Sequence, residues 1–89
     1  MKIQIEPHTL ERARERGVTA SQIEDVIRSG VPAVTGQGRL ARVKIYDYHG
    51  SWKGQHYDQQ MVKVIYVVEN NVAITVTVVV YYGRWPEAR

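Results

Sequence analysis

The spacing of apolar residues changes near residue 40. Before that point, within the segments 10–13 and 23–27, apolar side chains lie three or four positions apart, which is the period of an α-helix. Beyond it they alternate with polar side chains, which is the period of a β-strand. The pattern predicts two helices followed by a sheet, an α+β fold. The recurring apolar positions of the first part are Leu10, Ala13, Val18, Ile23, Val26 and Ile27.

Two helices are predicted in the first third of the chain. The first begins at Thr9, a residue type that caps helix N-termini, and ends at Gly17. The second begins at Thr19, and Gln22 three residues later completes a capping box. Gly30 ends this second helix. Each helix carries one apolar stripe, so each is expected to pack on the sheet by one side.

Four strands are predicted, one before the helices and three after them. They are rich in valine, isoleucine, threonine and tyrosine, which favour extended backbone. The pair Asn70-Asn71 is typical of a two-residue hairpin turn. Polar loops are expected at Val31–Gly38 and His49–Gln60. The predicted strands are Lys2–Glu6, Leu40–Tyr48, Met61–Glu69 and Val72–Tyr82.

A length of 89 residues predicts a single domain over residues 1–89. The simplest packing places both helices on one face of a three-stranded antiparallel sheet, after a short N-terminal strand. The alternation on the strands then leaves cationic and hydroxyl side chains on the other face, which we expect to be the working surface. These side chains are Arg42, Lys44, Tyr46, Tyr48, Thr75, Thr77 and Tyr81.

A net charge of +3 and a pI of about 9.4 are compatible with an anionic partner. Residues 31–89 hold the excess, with seven basic and four acidic groups, and they hold all the aromatic residues. Bases stack on aromatic rings and phosphates pair with cations, so this composition suits single-stranded RNA. A mildly basic protein without an anionic partner is the alternative that the composition leaves open.

Several other kinds of protein are disfavoured. The chain has no cysteine, which excludes a disulfide framework and a thiolate metal site. His49 and His56 lie near Asp47 and Asp58 but in no recognised ligand spacing, so we expect no metal and no cofactor. The first residues lack the apolar stretch of a signal peptide, and no apolar run is long enough for a bilayer. We therefore expect a cytoplasmic protein without membrane contact.

His8, Arg12 and Arg16 recur at intervals of four residues, which places them along one side of the first helix. A histidine can move protons near neutral pH. Guanidinium groups beside it can bind a phosphate and stabilise charge. The same spacing also fits a solvated helix face on which the arginines pair with neighbouring glutamates. Spacing alone leaves both interpretations open.

Polar and aromatic residues of the predicted sheet form a second group of candidates. Lys44 on a cationic strand face could bind phosphate. The alternative is that Lys44 is an ordinary charged residue on the solvent-exposed face of a sheet. Thr77 and Tyr81 could donate hydrogen bonds to a phosphate or a base. The candidates for RNA binding, by charge or by stacking, are Arg42, Tyr46, Tyr48 and Trp52.

Residues 8–18 read H-T-L-E-R-A-R-E-R-G-V and resemble the signature H-A-x-x-R-M-x-x-R-G-I. This signature opens a widespread family of small proteins of unknown function, which is similar to the barnase/EndoU/colicin/RelE superfamily of metal-independent ribonucleases. The similarity covers nearly the whole chain, and Ile74–Val78 stands where the family has a V-x-T-V-Y-like segment. Thr9 and Ala13 depart from the signature, and the segment His49–Gln60 is longer than usual.

The resemblance implies a RelE-like domain and a toxin-type RNA endonuclease whose partners are RNA and a cognate antitoxin. Its reaction would be attack of a ribose 2′-hydroxyl on the adjacent phosphate, giving a 2′,3′-cyclic phosphate, with His8 as general base or acid. The residues expected to bind or position the phosphate are Arg12, Arg16, Lys44, Thr77 and Tyr81. The alternative is a non-catalytic module that binds nucleic acid or protein, including a homodimer joined through Val72–Tyr82.

Overall fold

The computed structural model describes residues 1–36 and 38–85 and has the α+β architecture that the sequence predicts. Its elements are β1 (Lys2–Gln4), α1 (Pro7–Arg16), α2 (Ala20–Ser29), β2 (Val31–Pro32), β3 (Leu40–Trp52), β4 (Gln55–Glu69) and β5 (Val72–Gly83). The five strands form one sheet in the order β1-β5-β4-β3-β2. The three long strands are antiparallel neighbours, and β1 is parallel to β5.

Both edge strands are short. β1 lies beside the start of β5, with Ile3 opposite Ala73. β2 lies antiparallel to β3, with Val31 opposite Val43. The sequence places Val31 and Pro32 in a loop, and this prediction is wrong because a two-residue strand has no alternation by which to recognise it.

The predicted loop His49–Gln60 is a β-hairpin in the structure. β3 extends to Trp52, β4 begins at Gln55, and Lys53 and Gly54 form the turn with φ of 51° and 84°. Such left-handed values are what a two-residue hairpin turn requires. The polar side chains indicate a loop, but ladder hydrogen bonds join backbone groups and tolerate polar side chains. The prediction of a loop is therefore wrong.

Several turn and cap signals are confirmed. Asn70 and Asn71 have φ of 52° and 62° and join β4 to β5. The capping box of α2 is present: Gln22 N donates to Thr19 Oγ1 at 3.1 Å, and Thr19 N donates to Gln22 Oε1 at 3.0 Å. Gly17 ends α1 in the left-handed region, at a φ of 81°.

The start of α1 differs from the prediction. Glu6 is the N-cap residue, and Pro7 occupies the first turn, where its missing N–H costs nothing. Thr9 lies inside the helix and is fully buried, and its backbone N–H donates to Glu6 O at 2.9 Å. The prediction of Thr9 as N-cap is wrong because the fixed φ of Pro7 starts the helix earlier.

The core lies between the helices and one face of the sheet, which we call the covered face. α1 contacts β5, and α2 contacts β3 and β4. Burial of apolar side chains in this layer is the main source of stability. The buried apolar residues are Ala13, Val18, Ile23, Val26, Ile27, Val62, Val64, Tyr66, Ala73 and Val78.

The sequence assigns the two faces of β3 the wrong way round. Lys44 and Tyr46 lie on the covered face, where both contact Asp25 of α2. Long side chains can cover apolar surface with their stems while their polar ends find partners, so alternation does not reveal which face the helices cover. The residues that alternate with them lie on the opposite, uncovered face, and they include Val43 and Ile45.

A β-bulge at Val76 interrupts the alternation of β5. Thr75 and Thr77 pair with consecutive residues of β4, so Val76 is the extra residue. As a result Thr75 and Val78 are both buried against the helices. Of the seven side chains predicted on the uncovered face, Thr77 and Tyr81 lie there and the other five lie on the covered face.

Candidate functional site

His8, Arg12 and Arg16, which we call the α1 stripe, lie along the outer edge of β5. His8 Nε2 donates to the backbone oxygen of Val76 at 2.8 Å, and Arg16 Nη1 donates to that of Val78 at 2.6 Å. Arg12 lies one turn from each and is exposed. The three residues that the sequence places on one side of α1 therefore belong to the side that faces β5.

This contact closes one edge of the sheet. β1 pairs with β5 only up to Ile74. Beyond that residue β1 no longer pairs with β5, and an edge strand has unpaired backbone groups. Side chains of α1 donate to the carbonyls of Val76 and Val78 in place of a neighbouring strand. The α1 stripe thus has a structural role whatever its chemistry.

The contact also fixes the tautomer of His8. A carbonyl oxygen only accepts hydrogen bonds, so Nε2 of the neutral ring must carry the hydrogen. Nδ1 then keeps its lone pair and can accept a proton. His8 as a residue is exposed. A histidine whose second nitrogen is oriented by another group is the arrangement that general bases use.

Lys44 lies in another part of the covered face. Its ammonium is 2.7 Å from Asp25 Oδ2 and 3.0 Å from Ser29 Oγ, both on α2. The Tyr46 hydroxyl donates to the same carboxylate oxygen at 2.6 Å. Two strand spacings, about 10 Å, separate β3 from β5. The structure therefore does not bring Lys44 beside His8, as a single catalytic site would need.

We call Asp25, Ser29, Lys44 and Tyr46 the Asp25 cluster. The last three side chains donate hydrogen bonds to the Asp25 carboxylate and stabilise it. Hydrogen bonds from Lys44, Tyr46 and Ser29 lower the pKa of Asp25 to about 2. Burial and the bond to Asp25 raise the pKa of Tyr46. Lys44 and Asp25 remain 36% and 42% exposed, so water screens the ion pair. Lys44 is already paired with a carboxylate, which competes with any phosphate.

Arg42 binds the end of α2 rather than lying on the uncovered face. Its Nη1 donates to Gly30 O at 2.8 Å and its Nε donates to Tyr66 Oη at 3.3 Å. α2 ends very close to β3, because a Cβ on Gly30 would lie 2.8 Å from Val43 O. Arg42 therefore holds this helix end on the sheet.

Four half-buried rings pack beside the C-terminus of α1, and we call them the aromatic cluster: Tyr48, Trp52, Tyr57 and Tyr82. Trp52 stacks on Tyr82, with ring centroids 4.9 Å apart and planes 18° apart. Tyr48 meets Tyr82 edge-on at 5.0 Å, and Tyr57 lies 5.6 Å from it. The structure thus brings together two RNA-binding candidates, Tyr48 and Trp52.

A buried glutamine that the sequence does not single out joins this cluster to α1. Gln60 is 2% exposed, and its Nε2 donates to Gly17 O at 3.1 Å and to Tyr82 Oη at 3.0 Å. Gln22 Nε2 donates to its Oε1 at 3.0 Å. The Tyr82 hydroxyl donates to Arg16 O at 2.6 Å, and burial raises the pKa of Tyr82. In the sequence, the one signal for the role of Gln60 is that this glutamine directly precedes the predicted apolar strand Met61–Glu69.

Thr77 and Tyr81 lie apart from the other candidates, on the uncovered face. Tyr81 is 51% exposed there. Lys63 of the same face donates to Val34 O at 2.9 Å. The face is otherwise largely apolar, and its half-buried members include Val43, Ile45, Met61, Ile65 and Val79.

Within residues 1–36 and 38–85, no group of three or more acidic, histidine or cysteine side chains could hold a metal ion. None of the helices in that part of the chain is long and apolar enough to cross a membrane. Comparison with protein-family models, curated proteins and solved structures gives no match.

Proposed function

We propose that the chain is a metal-independent RNA endonuclease of the toxin type, with its active site on the α1 stripe. The observation that carries the proposal is the His8 ring, whose Nε2 donates to Val76 O at 2.8 Å and whose Nδ1 is left to accept a proton. Arg12 is exposed one turn along the same helix side and supplies a guanidinium for a phosphate. The reaction requires RNA, because only ribose carries the 2′-hydroxyl.

In the proposed reaction, Nδ1 of His8 takes the proton of a ribose 2′-hydroxyl. The 2′-oxygen bonds to the adjacent phosphorus while the bond from phosphorus to the 5′-oxygen breaks. The 5′-oxygen takes a proton from water, and the protonated His8 gives its proton to the hydroxide that results, so the products end in a 2′,3′-cyclic phosphate and a 5′-hydroxyl and His8 is neutral again. Arg12 neutralises the charge that develops on the phosphate oxygens.

Other candidates have supporting parts in this proposal. Arg16 uses Nη1 on Val78 O and keeps further N–H donors for a neighbouring phosphate. Thr77 and Tyr81 contact the RNA only where it crosses the β5 edge to the uncovered face. The proposed protein partner is an antitoxin that covers His8 and Arg12, for which an acidic segment is suited by charge. A cytoplasmic location, where RNA is plentiful, fits this assignment.

Cleavage of a mixed-sequence RNA in EDTA tests the proposal. We expect His8→Ala to lower the rate by about 10²–10⁴-fold and Arg12→Ala by about 10²–10³-fold. His56→Ala and Arg14→Ala are matched controls, because both residues are exposed and lie outside the α1 stripe. Mass spectrometry of the products should find 2′,3′-cyclic phosphate ends.

Cleavage by His8→Ala at the parental rate would show that His8 is not the base. If the parent does not cleave free RNA, the same variants are compared in a translation extract, where a ribosome-dependent nuclease would cut messenger RNA. Failure of the parent in both assays would leave the second candidate.

The second candidate is a non-catalytic module that binds RNA or protein. It is favoured by the hydrogen bonds that His8 and Arg16 make to β5, since these give both side chains a structural role at the sheet edge without any chemistry. A homodimer joined through the β5 edge is not favoured, because the carbonyls of Val76 and Val78 are already bonded. For a second copy, the largely apolar uncovered face is the better surface.

A further inference from the structure

The two ends of α1 carry different groups. His8 in the first turn is the proposed base, and the last turn lies against the aromatic cluster. Tyr82 Oη donates to Arg16 O at 2.6 Å. A Cβ on Gly17 would lie 2.9 Å from Trp52 Cζ3. Trp52 and Tyr82 therefore lie at the end of α1 opposite to His8.

The length of the helix sets the spacing between these groups. Residues 8 and 16 are eight positions apart in sequence, which corresponds to about 12 Å along a helix axis. Stacked nucleotides of one strand are about 3.4 Å apart. The roughly 12 Å between residues 8 and 16 therefore corresponds to about three to four nucleotides of a stacked strand. An extended strand would cover the same length with fewer nucleotides. Arg12, exposed midway, is placed for the phosphates between the two ends.

Trp52 has the surroundings of a base-stacking residue. Its stack on Tyr82, with centroids 4.9 Å apart, fixes the orientation of the indole. The ring is only half-buried, so part of it is open to solvent. The ammonium of exposed Lys53 lies over it, 5.9 Å from its centroid. An aromatic ring beside a cation suits a nucleotide, which brings a flat base and a phosphate together.

We propose that Trp52 is a base-stacking subsite at the far end of the α1 stripe from the phosphate held at His8. The substrate class is then single-stranded RNA of at least about four nucleotides, because bases in a duplex have no free ring face to offer. This proposal rests on the proposed function in one respect, namely that the RNA phosphate lies at His8. Stacking can nevertheless be measured without cleavage.

Fluorescence with 2′-O-methyl oligouridylates tests the subsite, since the blocked 2′-oxygen prevents cleavage. The chain has two tryptophans, so the Trp85→Phe variant keeps Trp52 as its single indole. We expect the tetranucleotide to quench Trp52 fluorescence and the dinucleotide to bind at least about tenfold more weakly. In the matched Trp52→Phe variant, where Trp85 reports, the tetranucleotide should leave the fluorescence unchanged. Circular dichroism checks that both variants are folded.

Absence of quenching in the Trp85→Phe variant, or equal quenching in Trp52→Phe, would overturn the subsite. Equal affinity for dinucleotide and tetranucleotide would overturn the spacing from His8. Quenching in a protein that cleaves neither free RNA nor messenger RNA in a translation extract would keep the subsite and remove the catalytic role of His8. Cleavage without quenching would do the reverse, so the two proposals fail separately.

Discussion

Gly17 is the point where the end of α1 meets the aromatic cluster. Its φ of 81° lies in the left-handed region, which costs other residues about 1–2 kcal/mol. A Cβ there would also lie 2.6 Å from Tyr82 Oη and 2.9 Å from Trp52 Cζ3. The glycine is therefore required twice, once by the backbone and once by the rings, and neither requirement depends on catalysis.

We predict that Gly17→Ala lowers the free energy of unfolding by about 2–4 kcal/mol. The loss combines backbone strain with displacement of Tyr82 from Arg16 O. Urea denaturation measures it. Gly54→Ala is the matched control, because Gly54 has a similar φ of 84° but no atom within 4 Å of its Cβ position. It should lose about 1–2 kcal/mol, and equal losses in the two variants would show that the ring contact is not close.

Residues differ in how far their roles can be read from the sequence. Gly17 is predictable as a helix stop because a left-handed cap depends on the residue itself. Asp25 and Gln60 are not, because each acquires its partners from elements far away in the chain. Asp25 reads as one more charge on a helix surface until β3 places Lys44 and Tyr46 beside it.

At the scale of elements, the Asp25 cluster joins α2 to β3 in a pH-dependent way. The pKa of Asp25 falls from 3.8 to about 2 on folding, so the folded state binds its proton less readily than the unfolded state does. The stabilisation is therefore complete above pH 4 or so and is lost as the pH falls from about 4 towards 2. Solvent exposure of the pair keeps the effect modest.

We predict that Asp25→Asn is less stable than the parent at pH 7 and that the difference disappears as the pH approaches 2. The reason is that a protonated Asp25 no longer attracts Lys44. Urea midpoints measured across this range give the result. Glu24→Gln, an exposed neighbour on α2, should show no such convergence. A stability difference for Asp25→Asn that persists unchanged at pH 2 would show that the ion pair is not its cause.

Element types are more predictable than their neighbours. Proline, glycine, capping residues and asparagine pairs act locally, which is why α2 and the turn at Asn70-Asn71 are predicted closely. Which face of β3 the helices cover depends on sheet order, and which side chains of β5 face the helices depends on the bulge at Val76. Neither has a local signal. The spacing of the α1 stripe is visible in the sequence, but its neighbour β5 is not.

At the scale of the whole molecule, the covered face divides into two separate regions. The rings of the aromatic cluster come from β3, β4 and β5, so this cluster spans the sheet and belongs to neither region. The α1 stripe lies at α1 and β5, and the Asp25 cluster lies at α2 and β3. A strand, β4, runs between them. The sequence predicts His8 and Lys44 in one site. In the structure His8 bonds a backbone carbonyl of β5, and Lys44 bonds the carboxylate of Asp25.

This division predicts that function and stability respond to different substitutions. Lys44→Ala should lower the urea midpoint, since Asp25 loses its main partner, and should leave RNA cleavage within about twofold of the parent. His8→Ala should lower cleavage by about 10²–10⁴-fold with a smaller loss of stability. Both rates are measured well below the unfolding midpoint. If folded Lys44→Ala protein cleaves as slowly as His8→Ala, the RNA must reach across β4 to Lys44, and the two regions form one site after all.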